Sequence, residues 1–194
     1  FYLAEGDHRI RLVSDGGGVW LHSLRLDGGD TVADYAQVRD AYRKAGYGPA
    51  QNVSVKVQAE QSKLKSDSSL MPIYDRSSSR TEPYDAYRIR LNTIGGQNWK
   101  RTGQWISWEF EVPESGLYRI GIKYRQNLLQ GLFTTRRVYI DGKVPFRELE
   151  HVRFPYGDEW NLKWLGDDEP YLIYLEKGKH ELKMEAALGE LRET

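Results

Sequence analysis

Apolar and polar residues alternate over long parts of the chain, above all after residue 104. In the segment 104–112 an apolar residue recurs at every second position. This period is typical of a strand that packs one face on a core and exposes the other to water. The residues predicted to face the core are Ile106, Trp108, Phe110 and Val112, and those predicted to face water are Trp105, Ser107, Glu109 and Glu111.

The same alternation predicts further strands. One covers residues 118–124, one runs through Val138 and Ile140, and a half-buried one covers residues 53–59. Several short antiparallel strands with almost no helix predict an all-β protein, an antiparallel β-sandwich of two packed sheets.

Turn residues separate the predicted strands. Residues 113–116 contain Pro and Gly, and Asp141-Gly142 is a hairpin turn sequence. Lys177-Gly178 lies between the patterned segments 171–176 and 179–186, which we therefore interpret as a terminal hairpin.

A long segment with little regular pattern follows the first predicted strand. It covers residues 62–102 and includes one short predicted strand over residues 87–91. Unpatterned loops of this length are uncommon in compact domains and usually carry function. Because the segment holds three Tyr side chains and Trp99, disorder is the poorer interpretation.

One helix is predicted before the sandwich, over about residues 31–46. Thr31 and Asp34 approximate a capping box at its start, and Gly46 is a stop signal. Its apolar residues at helical spacing are Tyr35, Val38 and Tyr42. We interpret residues 27–52 as a linker that carries this helix.

The two ends of the chain share a pattern. Residues 1–12 align with residues 173–184 so that a Tyr-Leu pair, a Gly and a His coincide. Such self-similarity marks a repeated structural unit, although chance matching of common hairpin residues is the alternative. We therefore expect an excerpt of a longer protein: residues 1–26 are the last hairpin of a preceding related domain, 53–188 the sandwich and 189–194 an exit segment.

Composition argues against several classes of partner. The 28 basic and 28 acidic residues cancel, so no bulk field attracts nucleic acid. No apolar run reaches the roughly 18 residues that a membrane span needs. The absence of cysteine excludes disulfides and thiolate metal sites.

No catalytic motif stands out either. The histidines show no metal-ligand spacing, and neither a nucleophile elbow nor a P-loop occurs. The acidic clusters at 158–159 and 167–169 contain carboxylates of the type that a glycosidase pairs across a cleft. Acidic loop clusters are more often solvated turns, so we predict that the chain is not an enzyme.

Four segments together resemble the carbohydrate-binding modules of families 6 and 35, which are galactose-binding-like jelly rolls. They are residues 57–60, 103–118, 123–127 and 137–143. The resemblance covers residues 53–188 and implies noncatalytic binding of a poly- or oligosaccharide through loops at one end of the sandwich. It also implies that Glu60 is a ligand of a structural calcium ion; no other cofactor is expected.

The linker, the paired modules and the loop 74–78 are also similar to the accessory region of large secreted solute-binding proteins of Gram-positive bacteria. Those proteins serve sugar-uptake ABC transporters. This second resemblance implies a bacterial protein at an extracellular or cell-surface location, with neighbouring domains of a longer parent chain as partners.

Sugar recognition uses an aromatic ring for the apolar face of a pyranose and polar side chains for its hydroxyls. Trp99 is the foremost platform candidate, and Asn127 matches a ligand-binding Asn of the resembled family. The other predicted binding residues lie in loops: Tyr74, Asp75, Arg76, Tyr156 and Trp160. Each has a structural alternative, such as Trp99 plugging the end of the sandwich.

Two functions are therefore weighed. The leading hypothesis is a noncatalytic carbohydrate-binding module of a secreted bacterial sugar-uptake or polysaccharide-processing protein. The alternative is a structural or protein-interaction sandwich that positions a solute-binding unit and has no live sugar site. Solvent-facing aromatic rings favour the first hypothesis, and rings buried against neighbouring segments favour the second.

Overall fold

The computed structural model describes residues 7, 9, 31–78 and 81–188. The chain divides into two compact units, Phe1–Thr31 and Val32–Thr194. The predicted hairpin remnant over residues 1–26 lies outside the described residues apart from Asp7 and Arg9, and the exit segment 189–194 lies outside them entirely. The predicted repeat and domain boundaries therefore stay predictions.

The second unit contains one described α-helix and eleven short strands. The helix α1 covers Tyr35–Lys44, and single 3₁₀ turns cover Gly96–Asn98 and Arg147–Glu150. The strands are β1 (Leu64–Lys65), β2 (Pro72–Ile73), β3 (Thr93–Ile94), β4 (Trp105–Val112), β5 (Gly116–Tyr118), β6 (Gly121–Gln126), β7 (Phe133–Ile140), β8 (Val152–Pro155), β9 (Gly157–Trp164), β10 (Ile173–Leu175) and β11 (Gly178–Ala187).

Antiparallel pairing arranges these strands in two layers. One layer is a five-stranded sheet with the order β1-β4-β11-β7-β8. The other contains the pairs β5–β10 and β6–β9, and β2–β3 forms a separate short pair. The predicted all-β antiparallel sandwich is confirmed.

The core lies between the two layers, where the alternating apolar residues meet. The five-stranded sheet contributes buried side chains such as Ile106, Val138 and Met184, and β10 contributes Ile173 and Leu175. The predicted inner face of residues 118–124 packs on this core while remaining partly exposed. Of the predicted core residues, the structure buries Ile106, Trp108, Val112, Val138 and Ile140, whereas other buried residues, such as Phe146 and Leu149, lie outside the predicted strands.

Ser107 is an exception, because it was predicted to face water and is fully buried. It is flanked by Leu64 on β1 and Lys183 on β11. Its hydroxyl has no hydrogen-bond partner in the structure.

The predicted strand over residues 53–59 is wrong. These residues form no ladder, and Val55 and Val57 are each 41% exposed. The outer edge of β4 is taken by the neighbouring segment instead, since Leu64 pairs with Ser107 and Lys65 with Ile106. An alternating segment forms a strand only where a partner edge is free.

The predicted terminal hairpin is also wrong. Strand β10 pairs with β5 in one layer, whereas β11 pairs with β4 and β7 in the other. The turn at Lys177-Gly178 therefore crosses between the layers instead of joining two paired strands. By contrast, the turn at Asp141-Gly142 is confirmed: both residues have positive φ, 50° and 78°, as a two-residue hairpin turn requires.

The long segment 62–102 contains short strands, but not at the predicted place. Residues 87–91 form no strand, and Tyr87 is 98% exposed. The pairing lies next to them, between β2 and β3.

The predicted helix is present but shorter. Its N-cap is Asp34 and not Thr31: Asp34 accepts from the Gln37 N–H at 2.9 Å, and the Gln37 side chain accepts from the Asp34 N–H at 3.3 Å. These reciprocal bonds place the capping box one turn later. The helix ends before Gly46, whose φ of 73° matches the predicted stop. Tyr35 joins it to the core, with ring centroids 4.9 Å from Phe146 and 4.5 Å from Tyr171.

The crossover turn depends on His180. Its Nδ1 lies 2.7 Å from the Asp141 carboxylate, and its Nε2 lies 2.6 Å from the Glu176 carbonyl. Burial acts to lower the pKa of His180, but the hydrogen bonds with Glu176 and Asp141 and the charge of Asp141 outweigh it and raise the pKa above its ordinary value.

We therefore expect the free energy of unfolding to fall as the pH rises. A raised folded-state pKa gives stability that is complete below the unfolded-state pKa and lost as the pH rises through the folded-state pKa. Urea unfolding at about pH 5.5 and about pH 8.5 measures the difference. The change in the free energy of unfolding between the two pH values should shrink in His180→Gln and persist in His151→Gln. Equal changes in both variants would contradict the assignment of this pH dependence to His180.

Candidate functional site

A nearly buried carboxylate, that of Asp75, lies where the segment after β2 meets strands β6 and β9. Its side chain is 10% exposed. Trp160 donates its indole N–H to Asp75 Oδ2 at 2.9 Å, and Arg125 Nη2 lies 3.1 Å from the same oxygen. Ser77 donates its backbone N–H at 2.8 Å and its hydroxyl at 3.0 Å. The carboxylate thus joins three separate parts of the chain.

A pair of reciprocal hydrogen bonds closes the loop that follows. The Asp75 N–H donates to Asn92 Oδ1 at 2.8 Å, and the Asn92 side-chain amide donates to the Asp75 carbonyl at 3.0 Å. That amide also lies 3.3 Å from the Pro83 carbonyl. The two ends of the loop 75–92 are therefore held together. We name the following residues the Asp75 cluster: Asp75, Ser77, Asn92, Arg125 and Trp160.

The electrostatics of the cluster keep Asp75 charged. Burial acts to raise the pKa of Asp75, but the hydrogen bonds from Ser77 and Trp160 and the charge of Arg125 outweigh it, so the pKa lies below its ordinary value. The Arg125 guanidinium also lies 5.2 Å from the centroid of the Trp160 ring. Both carboxylate oxygens accept from protein donors, so Asp75 holds the loop in place; its role as a sugar ligand stays a prediction.

Tyr74 and Arg76 flank this anchor. The Tyr74 hydroxyl donates to the Asp85 carbonyl at 3.1 Å, and the Arg76 guanidinium lies 5.6 Å from the centroid of the Tyr74 ring. Four of the predicted site residues, those at 74–76 and Trp160, are therefore brought together.

Trp99 packs against the core. Its indole N–H donates to the Gln104 carbonyl at 3.0 Å, and the Arg136 guanidinium lies 4.4 Å from its ring. Arg136 also donates to the Trp99 carbonyl at 3.1 Å, and burial lowers the pKa of Arg136 to about 10. These contacts favour the alternative interpretation of Trp99 as a plug, and its role as a sugar platform stays a prediction.

Asn127 lies in an exposed turn after β6. The preceding residue, Gln126, is buried and accepts from the N–H groups of Leu128 and Leu129, each at 2.9 Å. Its amide also donates to the Leu132 carbonyl at 3.4 Å. Gln126 therefore holds the turn, while the side chain of Asn127 remains accessible to a ligand.

Tyr156 adjoins the same turn. Its N–H donates to the Leu132 carbonyl at 2.9 Å, and its hydroxyl donates to Asp158 at 2.6 Å. The hydrogen bond to Asp158 raises the pKa of Tyr156. The seven predicted residues thus occupy three places: the Asp75 region, the turn of Asn127 and Tyr156, and the core edge at Trp99.

Two residues of the same region were not among the predicted site residues. Arg125 is the partner of Asp75, and Trp164 is 47% exposed at the end of β9. A signal for Trp164 was present, because Trp160, Leu162 and Trp164 recur at every second position. The predicted loop position of Trp160 is therefore wrong: this segment forms strand β9.

The implied calcium site can be compared with the residues present. Glu60 Oε2 is buried and has no hydrogen-bond partner, a state that a bound cation would relieve. Calcium takes about six to eight oxygen ligands, several of them carboxylates. Within residues 31–78 and 81–188, no three acidic or His side chains are grouped suitably for a metal. Calcium at Glu60 therefore stays a prediction.

The chain has structural likenesses among solved proteins. The chain is similar to a cycloisomaltooligosaccharide glucanotransferase from Paenibacillus sp., solved in complex with cycloisomaltoheptaose, with a TM-score of 0.50 and 17% identity over 80% of this chain and 21% of that chain. It is also similar to a family 35 carbohydrate-binding module from Clostridium thermocellum, with a TM-score of 0.40 and 16% identity over 50% of this chain and 66% of that chain. A third likeness is to a GH26-CBM35 β-(1,4)-mannanase from Podospora anserina, with a TM-score of 0.44 and 14% identity over 69% of this chain and 24% of that chain.

Of these three likenesses, the first alone reaches a TM-score of 0.50, and it concerns the fold alone. The chain spans about one fifth of the length of the glucanotransferase. No family model matches the sequence, and no curated protein matches it. Among the described residues, no helix combines the length and the apolar character needed to cross a bilayer.

Proposed function

We propose that this chain is a noncatalytic carbohydrate-binding module of a secreted bacterial protein. The observation that carries the proposal is the Asp75 cluster, which fixes a loop rich in aromatic and arginine side chains against the sandwich. A ligand loop whose ends are already fixed loses less conformational freedom on binding.

The loop presents side chains suited to sugars. Tyr84 is 49% exposed and Tyr87 is 98% exposed. The tip is ordered by Asp85, which accepts from the N–H groups of Tyr87 and Arg88 at 2.9 and 3.0 Å. Aromatic rings beside arginine donors offer both the apolar surface and the hydroxyl partners that a sugar requires.

The parent protein is proposed to process polysaccharide outside the cell. A fold similar to part of a glucanotransferase that was solved with a cyclic glucan supports sugar as the ligand class. The sugar-uptake alternative, with an ABC-transporter solute-binding protein as parent, stays a prediction from the sequence.

A protein-interaction role is the second candidate, and one observation favours it. The turn after β6 exposes apolar side chains that a neighbouring domain of the parent chain would cover. They are Leu128 at 54%, Leu129 at 44%, Leu132 at 61% and Phe133 at 39% exposed.

Affinity electrophoresis of the 194-residue chain in gels that contain dextran, xylan or β-1,4-mannan tests the proposal. We expect retardation by at least one polysaccharide and no release of reducing ends during prolonged incubation. A chain that migrates freely in every gel would favour the interaction role, and release of reducing ends would contradict the noncatalytic assignment.

A further inference from the structure

The outer face of the β6–β9 pair carries a row of aromatic, aliphatic and cationic side chains. In the antiparallel register Gly121 lies opposite Trp164, and Lys123 lies opposite Leu162. Directly opposed residues share a face, and residues two positions along a strand return to it. The regularly paired part of this outer β6–β9 face consists of Gly121 and Lys123 on β6, and Leu162 and Trp164 on β9. The register shifts after Tyr124, and at that end of the face the Arg125 guanidinium lies over the Trp160 ring.

Trp164 is held in place on this face by the strand beside it. Two atoms of its indole, Cζ3 and Cε3, lie 3.0 and 3.1 Å from the point that a Cβ on Gly121 would occupy. Leu162 Cδ1 lies 3.3 Å from the same point. The indole thus reaches across to the neighbouring strand because Gly121 leaves room for it.

Trp164 nevertheless remains accessible. At 47% exposure it is more exposed than any other tryptophan that the structure describes. Unlike Trp99 and Trp160, whose indole N–H groups donate to the protein, it presents ring surface to solvent. An accessible ring in a defined position is the geometry that the apolar face of a pyranose requires.

We propose that the outer β6–β9 face binds the sugar rings of a glycan chain, with the Trp164 indole as the stacking platform. This inference rests on the proposed function and places the platform on a sheet face instead of an end loop. Leu162 extends the apolar surface, and Lys123 lies opposite it on the same face.

The length of the face favours a chain of sugars over a single one. Trp160 and Trp164 are four positions apart on one strand, which corresponds to about 13 Å. The Asp75 cluster lies at the Trp160 end, so the fixed loop and the platform form one continuous strip. A face only two strands wide and bordered by cations is a poor apolar surface for docking another protein.

The test compares variants of the 194-residue chain by affinity electrophoresis in gels that contain dextran, xylan or β-1,4-mannan. Trp164→Ala should raise the Kd about tenfold or more for the polysaccharide that retards the unchanged chain, and Trp164→Phe should keep most of the affinity. Trp105→Ala is the matched control, because Trp105 points outward from the five-stranded sheet and should not alter the Kd.

A second variant covers the case in which Trp164→Ala fails to fold. Gly121→Ala retains the indole but displaces it, and should weaken binding while the thermal midpoint stays close to that of the unchanged chain.

The outcomes separate the two proposals. Binding by the unchanged chain that persists in Trp164→Ala and Gly121→Ala would overturn this inference and leave the proposed function intact. Equal loss in Trp105→Ala would also overturn it. No binding by the unchanged chain would overturn both.

Discussion

Replacing Asp75 with alanine is expected to lower the free energy of unfolding by about 3 kcal/mol. The change removes the acceptor for Trp160 and Ser77 and leaves the Arg125 guanidinium, only 21% exposed, without its carboxylate. An uncompensated charge in a largely buried place is the main cost. Urea unfolding measures the loss.

Asp75→Ala should also make the loop 75–92 more mobile. We expect trypsin to cleave faster after Arg88 and Arg90, which are exposed in that loop, and glycan affinity to fall with the loss of order. Asp67→Ala is the matched control, since Asp67 also accepts from a backbone N–H, that of Ser69, and pairs with an arginine, Arg101, but lies outside the loop 75–92. Equal effects of the two substitutions would show that Asp75 is not the anchor.

Lowering the pH should remove the contribution of the Asp75 carboxylate to the stability of the fold. Its folded-state pKa is lowered, so its contribution to stability is present above the unfolded-state pKa and is lost as the pH falls through the folded-state value. The difference in stability between the unchanged chain and Asp75→Ala should therefore narrow in acid.

Replacing Phe146 with alanine is expected to cost about 3–5 kcal/mol. Phe146 is fully buried, and its ring centroid lies 4.9 Å from that of Tyr35 on the helix and 5.0 Å from that of Tyr171. The resulting cavity would loosen the helix as well as the sandwich. Urea unfolding measures the cost, and hydrogen exchange shows whether the amides of α1 lose protection together with those of the sheets.

Phe133→Ala provides the comparison for Phe146→Ala. Phe133 is 39% exposed and packs under Arg153, so its loss should cost much less than that of Phe146. If the amide hydrogens of α1 exchanged freely in the unchanged chain, the helix would be a separate linker, as the sequence predicts for residues 27–52. If the amide hydrogens of α1 are as strongly protected from exchange as those of the core strands, the helix folds together with the sandwich.

The period of two explains why the fold class could be predicted from the sequence. Positions such as Ile106, Val138 and Met184 alternate with polar residues, and the hydrophobic effect selects one face for the core. Partner choice is not encoded in that pattern. Segment 53–59 alternates equally well and forms no strand, because Leu64 and Lys65 take the edge of β4.

The candidate binding region could be predicted from the sequence only in part. Loop composition singled out residues 74–76 and Trp160, which the structure brings together. Their mutual hydrogen bonds depend on a contact between residues 85 positions apart, which no local pattern specifies. The accessibility of Trp164 depends in turn on Gly121, a residue on a different strand.

The position of β11 in the sheet has a consequence for synthesis on the ribosome. It is the last described strand in chain order, yet it lies in the middle of the five-stranded sheet, between β4 and β7. Until it leaves the exit tunnel, those two strands expose open edges that another nascent chain could pair with. Premature termination ahead of Gly178 should therefore yield aggregated polypeptide in place of a smaller soluble sandwich.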